Sequence, residues 1–215
     1  MAIAIVPCVT VSTPEDYKAS LERVHLFARR IHVDVSDGSF APVTLIDPAQ
    51  IWWPEGWLVD IHAMVTKPSL HLPQLLALKP NMITLHVEAD EDLLPMLQQI
   101  KQLGIKAGIA LVRSTVPSEV AKLIEVADHV MIFSGDLGHY GGTASMMQLE
   151  KVRLVKSINA GVEIGWDGGV TIENAFSLAQ GGVDVLNSGG AIQKAQDPKA
   201  AYESLVSEVN KQGVM

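Results

Sequence analysis

The sequence predicts an α/β protein of the (β/α)8 TIM-barrel class, and three observations support this. Eight short apolar runs alternate with helical patterns along the 215 residues, as in βαβ units built on a parallel sheet. The runs are continuously apolar, which is typical of parallel strands covered on both faces. A G-x-G-x-x-G motif does not follow the first run, which disfavours an open dinucleotide-binding sheet. A chain of this length suits a single domain over residues 1–215.

The strands are predicted from these apolar runs. The first begins at Ile3, and Pro7 is expected to close it because proline lacks the N–H that a β-ladder uses. The predicted strands are 3–6, 31–35, 57–61, 82–87, 106–112, 129–133, 162–166 and 183–186.

Helices are predicted between the strands from start and stop residues. Thr13 and Pro14 open the first helix, and Gly104, Gly161 and Gly181 end later ones. The predicted helices are 14–30, 68–78, 88–104, 117–126, 146–159, 171–180 and 198–211, with a short helical turn at 47–51.

Composition narrows the possible functions. The net charge of -8, without a clustered basic run, argues against a nucleic-acid partner or an anionic membrane surface. One cysteine, Cys8, excludes an internal disulfide and a thiol-only metal cluster. The apolar start MAIAIVPCV lacks a basic leader, so we expect a first strand rather than a signal peptide. No run approaches the roughly 18 apolar residues of a membrane span. We therefore expect a cytoplasmic protein that forms a homo-oligomer.

Polar side chains gather where the predicted strands end, which is where barrels carry their chemistry. His32 and Asp34 lie two residues apart on one strand and therefore share a face. The polar residues at the strand ends are His32, Asp34, Asp60, His62, His86, Glu88 and Asp167. Two imidazoles and two carboxylates converging on the barrel axis would bind a divalent metal, with zinc preferred and iron, manganese or cobalt as alternatives. The competing interpretation is that each is a hydrogen-bonded core or rim residue.

Glycines follow the last three predicted strands. They let backbone N–H groups approach an anion, and barrels commonly hold phosphate at the loops after strands seven and eight. The candidate phosphate-binding residues are Gly138, Gly141, Gly142, Gly168, Gly169, Gly189 and Gly190. His139 and Tyr140, in the same loop as the first three, are further candidates for substrate contact. The alternative is that these glycines serve only tight turns and helix ends.

Two carboxylates beside a metal suggest a reaction class. Removal of a proton next to a ketone needs a base, and a Lewis-acid metal stabilises the enolate charge. If Asp34 and Asp167 flank an enediolate, one takes the proton and the other returns it from the opposite side, so that the stereocentre inverts. A phosphate grip would anchor the far end of the substrate.

Five separated motifs then resemble the ribulose-phosphate 3-epimerase family, a barrel family of the ribulose-phosphate-binding type. They are His32-Val33-Asp34-Val35-Ser36-Asp37-Gly38, Asp60-Ile61-His62-Ala63-Met64-Val65, Ile83-Thr84-Leu85-His86-Val87-Glu88-Ala89, Gly108-Ile109-Ala110-Leu111 and Asp167-Gly168-Gly169-Val170. The resemblance implies interconversion of D-ribulose 5-phosphate and D-xylulose 5-phosphate with a divalent metal, in the pentose phosphate pathway. It implies His32, Asp34, His62 and Asp167 as metal ligands and Asp34 and Asp167 as the acid/base pair. It also places Cys8 and His62, with the glycines, among the substrate contacts.

The sequence departs from this family around the proposed site. Cys8 stands where the family usually has Ser, Ser36 where it has Met, and Ala63 where it has Leu. Arg113 and the loop 136–143 also differ from the usual pattern. The smaller Ser36 and Ala63 keep open an epimerase of a six-carbon ketose phosphate such as allulose 6-phosphate. A barrel that only binds a phosphosugar is a further alternative. A related decarboxylase or aldolase is disfavoured because the Asp-x-Lys-x-x-Asp pattern is missing.

Overall fold

Eight parallel strands form a closed barrel in chain order, with β8 pairing back onto β1. The structure, a computed structural model, describes residues 3–211. The strands are β1 (Ala4–Val9), β2 (Arg30–Ser36), β3 (Leu58–Met64), β4 (Met82–His86), β5 (Lys106–Leu111), β6 (His129–Phe133), β7 (Glu163–Asp167) and β8 (Val185–Ser188). The predicted (β/α)8 class is confirmed.

Helices cover the outside of this barrel. They are α1 (Pro14–Val24), α2 (Pro68–Ala77), α3 (Leu94–Gln102), α4 (Ala121–Val126), α5 (Glu150–Ile158), α6 (Ile172–Gln180), α7 (Gly190–Gln193) and α8 (Pro198–Val209). Short 3-10 segments, one of them in the predicted turn at 47–51, are Pro48–Gln50, Pro117–Val120 and Met146–Leu149. None of the helices in residues 3–211 has the length and hydropathy that crossing a bilayer requires.

Helix α1 shows how the sequence sets an element. The Thr13 hydroxyl accepts the Asp16 N–H, and Pro14 occupies the first turn, where a missing N–H costs nothing. Tyr17, Leu21 and Val24 recur at helical spacing and are buried against the strands. The helix ends at Val24 rather than at residue 30, because the chain turns there to enter β2.

Three other predicted bounds were wrong. Pro7 does not close β1, which continues to Val9 and pairs with β2 through Cys8 and Val9. Proline removes one donor, and the following residues still supply theirs. The acidic segment 88–92 does not begin a helix, since α3 starts only at Leu94. The strand predicted at 183–186 is displaced to Val185–Ser188, and the sequence reasoning missed the short helix α7.

Side chains along each strand point alternately to two buried regions, the apolar layer under the helices and the inside of the barrel. Ile31, Val33 and Val35 of β2 are buried in the apolar layer under the helices, whereas His32 and Asp34 are not part of that apolar layer and point into the barrel. Inside the barrel, large and small residues interdigitate. A side chain at Gly165 would collide with the ring of His129. The lumen is therefore a packed core rather than a channel.

An ionic network fills the floor of the barrel, near the strand starts. Arg30 Nε donates to Asp60 Oδ2 at 2.7 Å, and its Nη2 donates to Glu163 Oε2 at 3.1 Å. His129 Nδ1 lies 2.8 Å from the same Glu163 oxygen, and Asn81 Nδ2 donates to Asp60 Oδ1 at 2.6 Å. Partial burial alone would raise the pKa of Glu163, but the hydrogen bonds and charges of His129 and Arg30 hold it well below the usual range.

Glu163→Gln should lower the free energy of unfolding by about 2 kcal/mol at pH 7, a value reduced for the partial exposure of the pair. The lowered carboxyl pKa means that this contribution is complete above the unfolded-state value of about 4.3 and is lost as the pH falls below it. Urea denaturation from pH 7 to pH 3 measures both effects. The difference between variant and wild type should be constant down to about pH 5 and then shrink. Glu55→Gln, at an exposed carboxylate, is the control, and an equal loss in both variants would contradict the role of the network.

Candidate metal and acid–base site

A cavity of about 240 Å³ opens at the C-terminal ends of the strands. Asp34 and Asp167 line it from β2 and β7, and Cys8 lines it from β1. The seven glycines predicted to bind phosphate also line it: Gly138, Gly141, Gly142, Gly168, Gly169, Gly189 and Gly190. The strand ends therefore bring the predicted acid/base residues and the predicted glycines to one cavity.

Four side chains offer ligand atoms within 4.8 Å of one another: His32, Asp34, His62 and Asp167. Asp34 Oδ1 lies 3.1 Å from His32 Nε2 and 2.8 Å from His62 Nδ1. Asp167 Oδ2 lies 3.6 Å from that His32 nitrogen and 3.8 Å from that His62 nitrogen. Strand pairing explains this closeness, because Asp34 is in register with His62 on the neighbouring strand.

These spacings fit a divalent cation. Ligands about 2.0–2.1 Å from a tetrahedral zinc lie about 3.4 Å from one another, and the four measured separations bracket that value. Two nitrogens and two carboxylate oxygens also suit iron, manganese or cobalt. All four side chains are nearly buried, so a cation at this place would compensate charges that water does not reach.

The two carboxylates have opposite electrostatic environments. Burial would raise the pKa of Asp34, but hydrogen bonds from His32 and His62 lower it below the usual range. The Thr10 hydroxyl donates to the other Asp34 oxygen at 2.5 Å. Burial raises the pKa of Asp167 to about 7, with the charge of His32 opposing and that of Asp34 reinforcing the change. One carboxylate is thus held ionised, while its neighbour binds a proton more readily than a carboxyl usually does.

The pKa values of the two imidazoles also shift in opposite directions. Burial would lower the pKa of His32, but its hydrogen bond to Asp34 and the nearby carboxylates raise it to about 8. Burial lowers the pKa of His62 to about 4, and Asp34 only partly offsets this. His62 therefore favours the neutral form, which is the form that binds a metal.

A buried relay extends behind His62. Its Nε2 lies 2.8 Å from His86 Nε2, and His86 Nδ1 lies 3.1 Å from Glu88 Oε2. The Val112 N–H at 2.9 Å and the Thr115 hydroxyl hold the other Glu88 oxygen. If His62 presents Nδ1 to a cation, its Nε2–H donates to His86, whose Nδ1–H donates to Glu88. This proton assignment satisfies each nitrogen and fixes the His62 tautomer.

Asp60 does not join the site, although the sequence grouped it with the strand-end residues. It lies two residues before His62 on the same face of β3, one pleat deeper, and is paired with Arg30 at the floor. The neighbouring His86 was recognised only as a polar strand-end residue. Its link to His62 depends on the register between neighbouring strands.

Backbone conformation brings the glycine loops close together. Gly168 has φ +97° and Gly169 has φ +69°, a region that favours glycine. A side chain on Gly168 would collide with the backbone of Gly135, and one on Gly169 with the backbone of Ala144. Helix α6 begins shortly afterwards at Ile172, so backbone N–H groups of its first turn lie near the same loop.

Tyr140 crosses the cavity mouth from the loop after β6. Its hydroxyl accepts the Thr10 N–H at 2.8 Å, and the ring lies against Gly189, where a Cβ would be 2.5 Å from the ring. The sequence reasoning missed Lys194, the one Lys or Arg lining this cavity in residues 3–211. Its ammonium lies 5.8 Å from the centre of the Tyr140 ring. Only the unpredicted helix α7 brings Lys194 here.

Three residues expected near the substrate do not form the cavity wall. His62 does not line the cavity, because Asp34 and His86 engage its two ring nitrogens and the ring lies fully buried. Ala63 faces the apolar layer under the helices rather than the lumen. Ser36 points inward, but it does not line the cavity and its hydroxyl accepts the Gly38 N–H at 3.1 Å. Ala63 therefore does not widen this cavity, and Ser36 does not contact it.

Sequence comparison shows which protein family the chain resembles. The model of the ribulose-phosphate 3 epimerase family matches residues 4–193. Ribulose-phosphate 3-epimerase of Helicobacter pylori is 35% identical over 182 residues, covering 81% of this chain and 84% of that protein. The Escherichia coli K12 protein of the same name is 28% identical over 189 residues, covering 84% of each chain.

Structural comparison supports the fold. 3-Hexulose-6-phosphate synthase from Salmonella typhimurium superposes with a TM-score of 0.73 at 15% identity, covering 96% of this chain and 98% of that one. Orotidine 5'-phosphate decarboxylase from Pyrococcus horikoshii gives a TM-score of 0.65 at 14% identity, covering 97% of this chain and 100% of that one. At these identities the likeness is one of barrel architecture.

His86→Leu should weaken Zn²⁺ binding about 10- to 100-fold, because His62 loses the acceptor that fixes its tautomer. Competition with a chromophoric chelator, starting from metal-stripped protein, measures the affinity, and circular dichroism verifies the fold. His25→Leu, at an exposed histidine after α1, is the matched control and should retain wild-type affinity. Equal affinities in the His86→Leu variant and the wild type would show that the relay does not support the site.

Proposed function

Because the chain belongs to the ribulose-phosphate 3-epimerase family, whose members are isomerases, we propose that it interconverts D-ribulose 5-phosphate and D-xylulose 5-phosphate as a metal-dependent enzyme acting as a single barrel domain. The observation that carries the proposal is the cluster of four donor side chains, two of which line a cavity rimmed by glycines. One end of that cavity offers carboxylates for proton transfer, and the other offers backbone N–H groups for a phosphate.

His32, Asp34, His62 and Asp167 would hold the divalent ion, with zinc as the first candidate. When bound, such an ion would polarise the substrate carbonyl and stabilise negative charge on its oxygen. The protein contributes the orientation of the donors. His62 is fixed by the relay through His86 and Glu88, and the second Asp34 oxygen is fixed by the Thr10 hydroxyl.

Asp34 and Asp167 carry the proton transfer in this proposal. They come from β2 and β7, so they reach the cavity from strands on different parts of the barrel wall. One carboxylate takes the proton from C3, which leaves an enediolate, and the other donates a proton to the opposite face. In the reverse direction the roles exchange. Inversion at C3 follows from the two carboxylates acting on opposite faces.

The glycine loops would bind the phosphate end. The Gly169 N–H already donates to the Gly141 carbonyl at 3.0 Å. The donors would therefore come from the loop after β8, where Gly189 and Gly190 line the cavity without bulk. Lys194 adds one positive charge at the same rim. Anchoring of the phosphate there positions the sugar chain toward the carboxylates, which lowers the entropic cost of the reaction.

The argument for a six-carbon ketose phosphate is weaker, since Ala63 faces away from the lumen and Ser36 does not line the cavity. A barrel that only binds phosphosugars would have no use for two carboxylates at the reacting end. Both alternatives remain distinct outcomes of the experiments below.

The first test follows hydrogen exchange at C3. Incubation of the metal-loaded protein with D-ribulose 5-phosphate in D₂O should place deuterium at C3 and form D-xylulose 5-phosphate, as observed by NMR. Chelator should stop both processes, and added Zn²⁺, Mn²⁺, Fe²⁺ or Co²⁺ should restore them. Failure to exchange with every metal would reject the epimerase proposal, and faster turnover of allulose 6-phosphate would favour the six-carbon alternative.

The second test assigns the acid/base pair. Asp34→Asn and Asp167→Asn should each lower kcat about 10²- to 10⁴-fold. Each variant retains one carboxylate, so each should exchange C3 hydrogen in only one epimer, and the two variants should exchange opposite epimers. NMR in D₂O, started separately from each epimer, measures this. Metal content is the control, because asparagine retains an oxygen donor. Near-normal kcat in either variant, or exchange of the same epimer by both, would overturn the assignment.

A further inference from the structure

Asn187 lies near the C-terminal end of β8 and lines the same cavity. It is in register with Asp167 on one side and with Val6 on the other. Two residues further along the chain, just after β8, Gly189 belongs to the glycine rim. Asn187 thus lies between the acid/base carboxylate and the proposed phosphate loop.

The amide of Asn187 is not satisfied by the protein. Only 3% of the residue is exposed, and within residues 3–211 no group pairs with its Oδ1. Its Nδ2 contacts the Met131 sulfur at 3.4 Å, and a thioether is a weak acceptor. If the amide is turned over, the other polar atom is the free one. A buried amide without a partner costs about 1–3 kcal/mol, so this position is unfavourable for folding alone.

A bound substrate would satisfy this amide. We propose that Asn187 hydrogen-bonds the hydroxyl that lies between the reacting carbon and the phosphate ester, which is the C4 hydroxyl of a ketopentose 5-phosphate. A hydroxyl both donates and accepts, so it pairs with either atom of the amide. The proposal rests on the phosphoketose function argued above and adds a residue that selects for a hydroxylated carbon at that position.

Burial of the Asn187 amide should make the site select for a substrate with a hydroxyl at C4. A site with a buried polar group rejects a ligand that leaves the group unpaired, because the desolvation of the group is then not compensated. The wild type should therefore discriminate against a 4-deoxy substrate. An Asn187→Leu variant, close in shape and without polar atoms, should lose that discrimination. Because the substitution removes no strong hydrogen bond of the protein, it should leave the unfolding free energy unchanged or raise it.

The experiment compares pairs of ligands that differ only at C4. D-ribulose 5-phosphate and its 4-deoxy analogue give kcat and KM, and the corresponding alditol 5-phosphates, which cannot epimerise, give dissociation constants by calorimetry. The wild type should bind the hydroxylated alditol at least about 10-fold more tightly. Asn187→Leu should reduce the ratio to less than about 2-fold. Asn187→Val provides a second variant should the leucine side chain disturb the fold.

Ser188→Ala is the matched control. Ser188 is the next residue, and its hydroxyl is also buried without a partner, but it does not line the cavity. This variant should keep wild-type selectivity. The same C4 preference in wild type, Asn187→Leu and Asn187→Val would overturn the proposal. Absence of turnover in the wild type would reject the epimerase function instead, while the alditol dissociation constants would still decide the role of Asn187.

Discussion

The contacts of Asp34 with the imidazoles of His32 and His62 are the interaction on which the site depends. They keep the buried carboxylate of Asp34 ionised beside Asp167, whose own carboxyl pKa is raised to about 7. Two buried carboxylates so close together would repel one another without such partners. The strand register supplies the partners, because it places Asp34 opposite His62 on β3. Closure of the barrel then brings Asp167 from β7 to the same point.

The barrel interior contains two polar layers, which differ in how many of their carboxylate and amide atoms have hydrogen-bond partners. At the floor, both oxygens of Asp60 and Glu163 have partners from Arg30, Asn81 and His129, and His129 Nε2 lacks a partner within residues 3–211. At the mouth, the donor atoms face one another or the cavity, and the amide of Asn187 has a polar atom with no partner. The ion pairs at the floor stabilise the barrel. The ligand atoms and the Asn187 amide at the mouth are available to bind a ligand.

Much of this architecture could be predicted from the sequence. The alternation in His32-Val33-Asp34 showed which side chains share the inward face, and the glycine pairs marked the loops after β7 and β8. The errors have physical causes. Asp60 differs from His62 by one pleat of depth, which residue type alone does not reveal. Asn187 falls outside the strand predicted at 183–186, because β8 was predicted two residues too early. The His62–His86 relay depends on spacing between strands.

Charge also sets the direction in which a sugar phosphate would enter the cavity. The chain carries a net charge of -8, and two carboxylates line the cavity on the side of the donor cluster. A divalent ion held by the donor cluster would balance these two carboxylates, which leaves this end without a net positive charge for a phosphate. The opposite rim presents backbone N–H groups at the glycine loops, the ammonium of Lys194 and one carboxylate, that of Asp136. The N–H groups and Lys194 at the rim therefore favour one orientation, with the phosphate at the rim and the keto end at the donors. In that orientation, the carbon chain between the two ends passes Asn187.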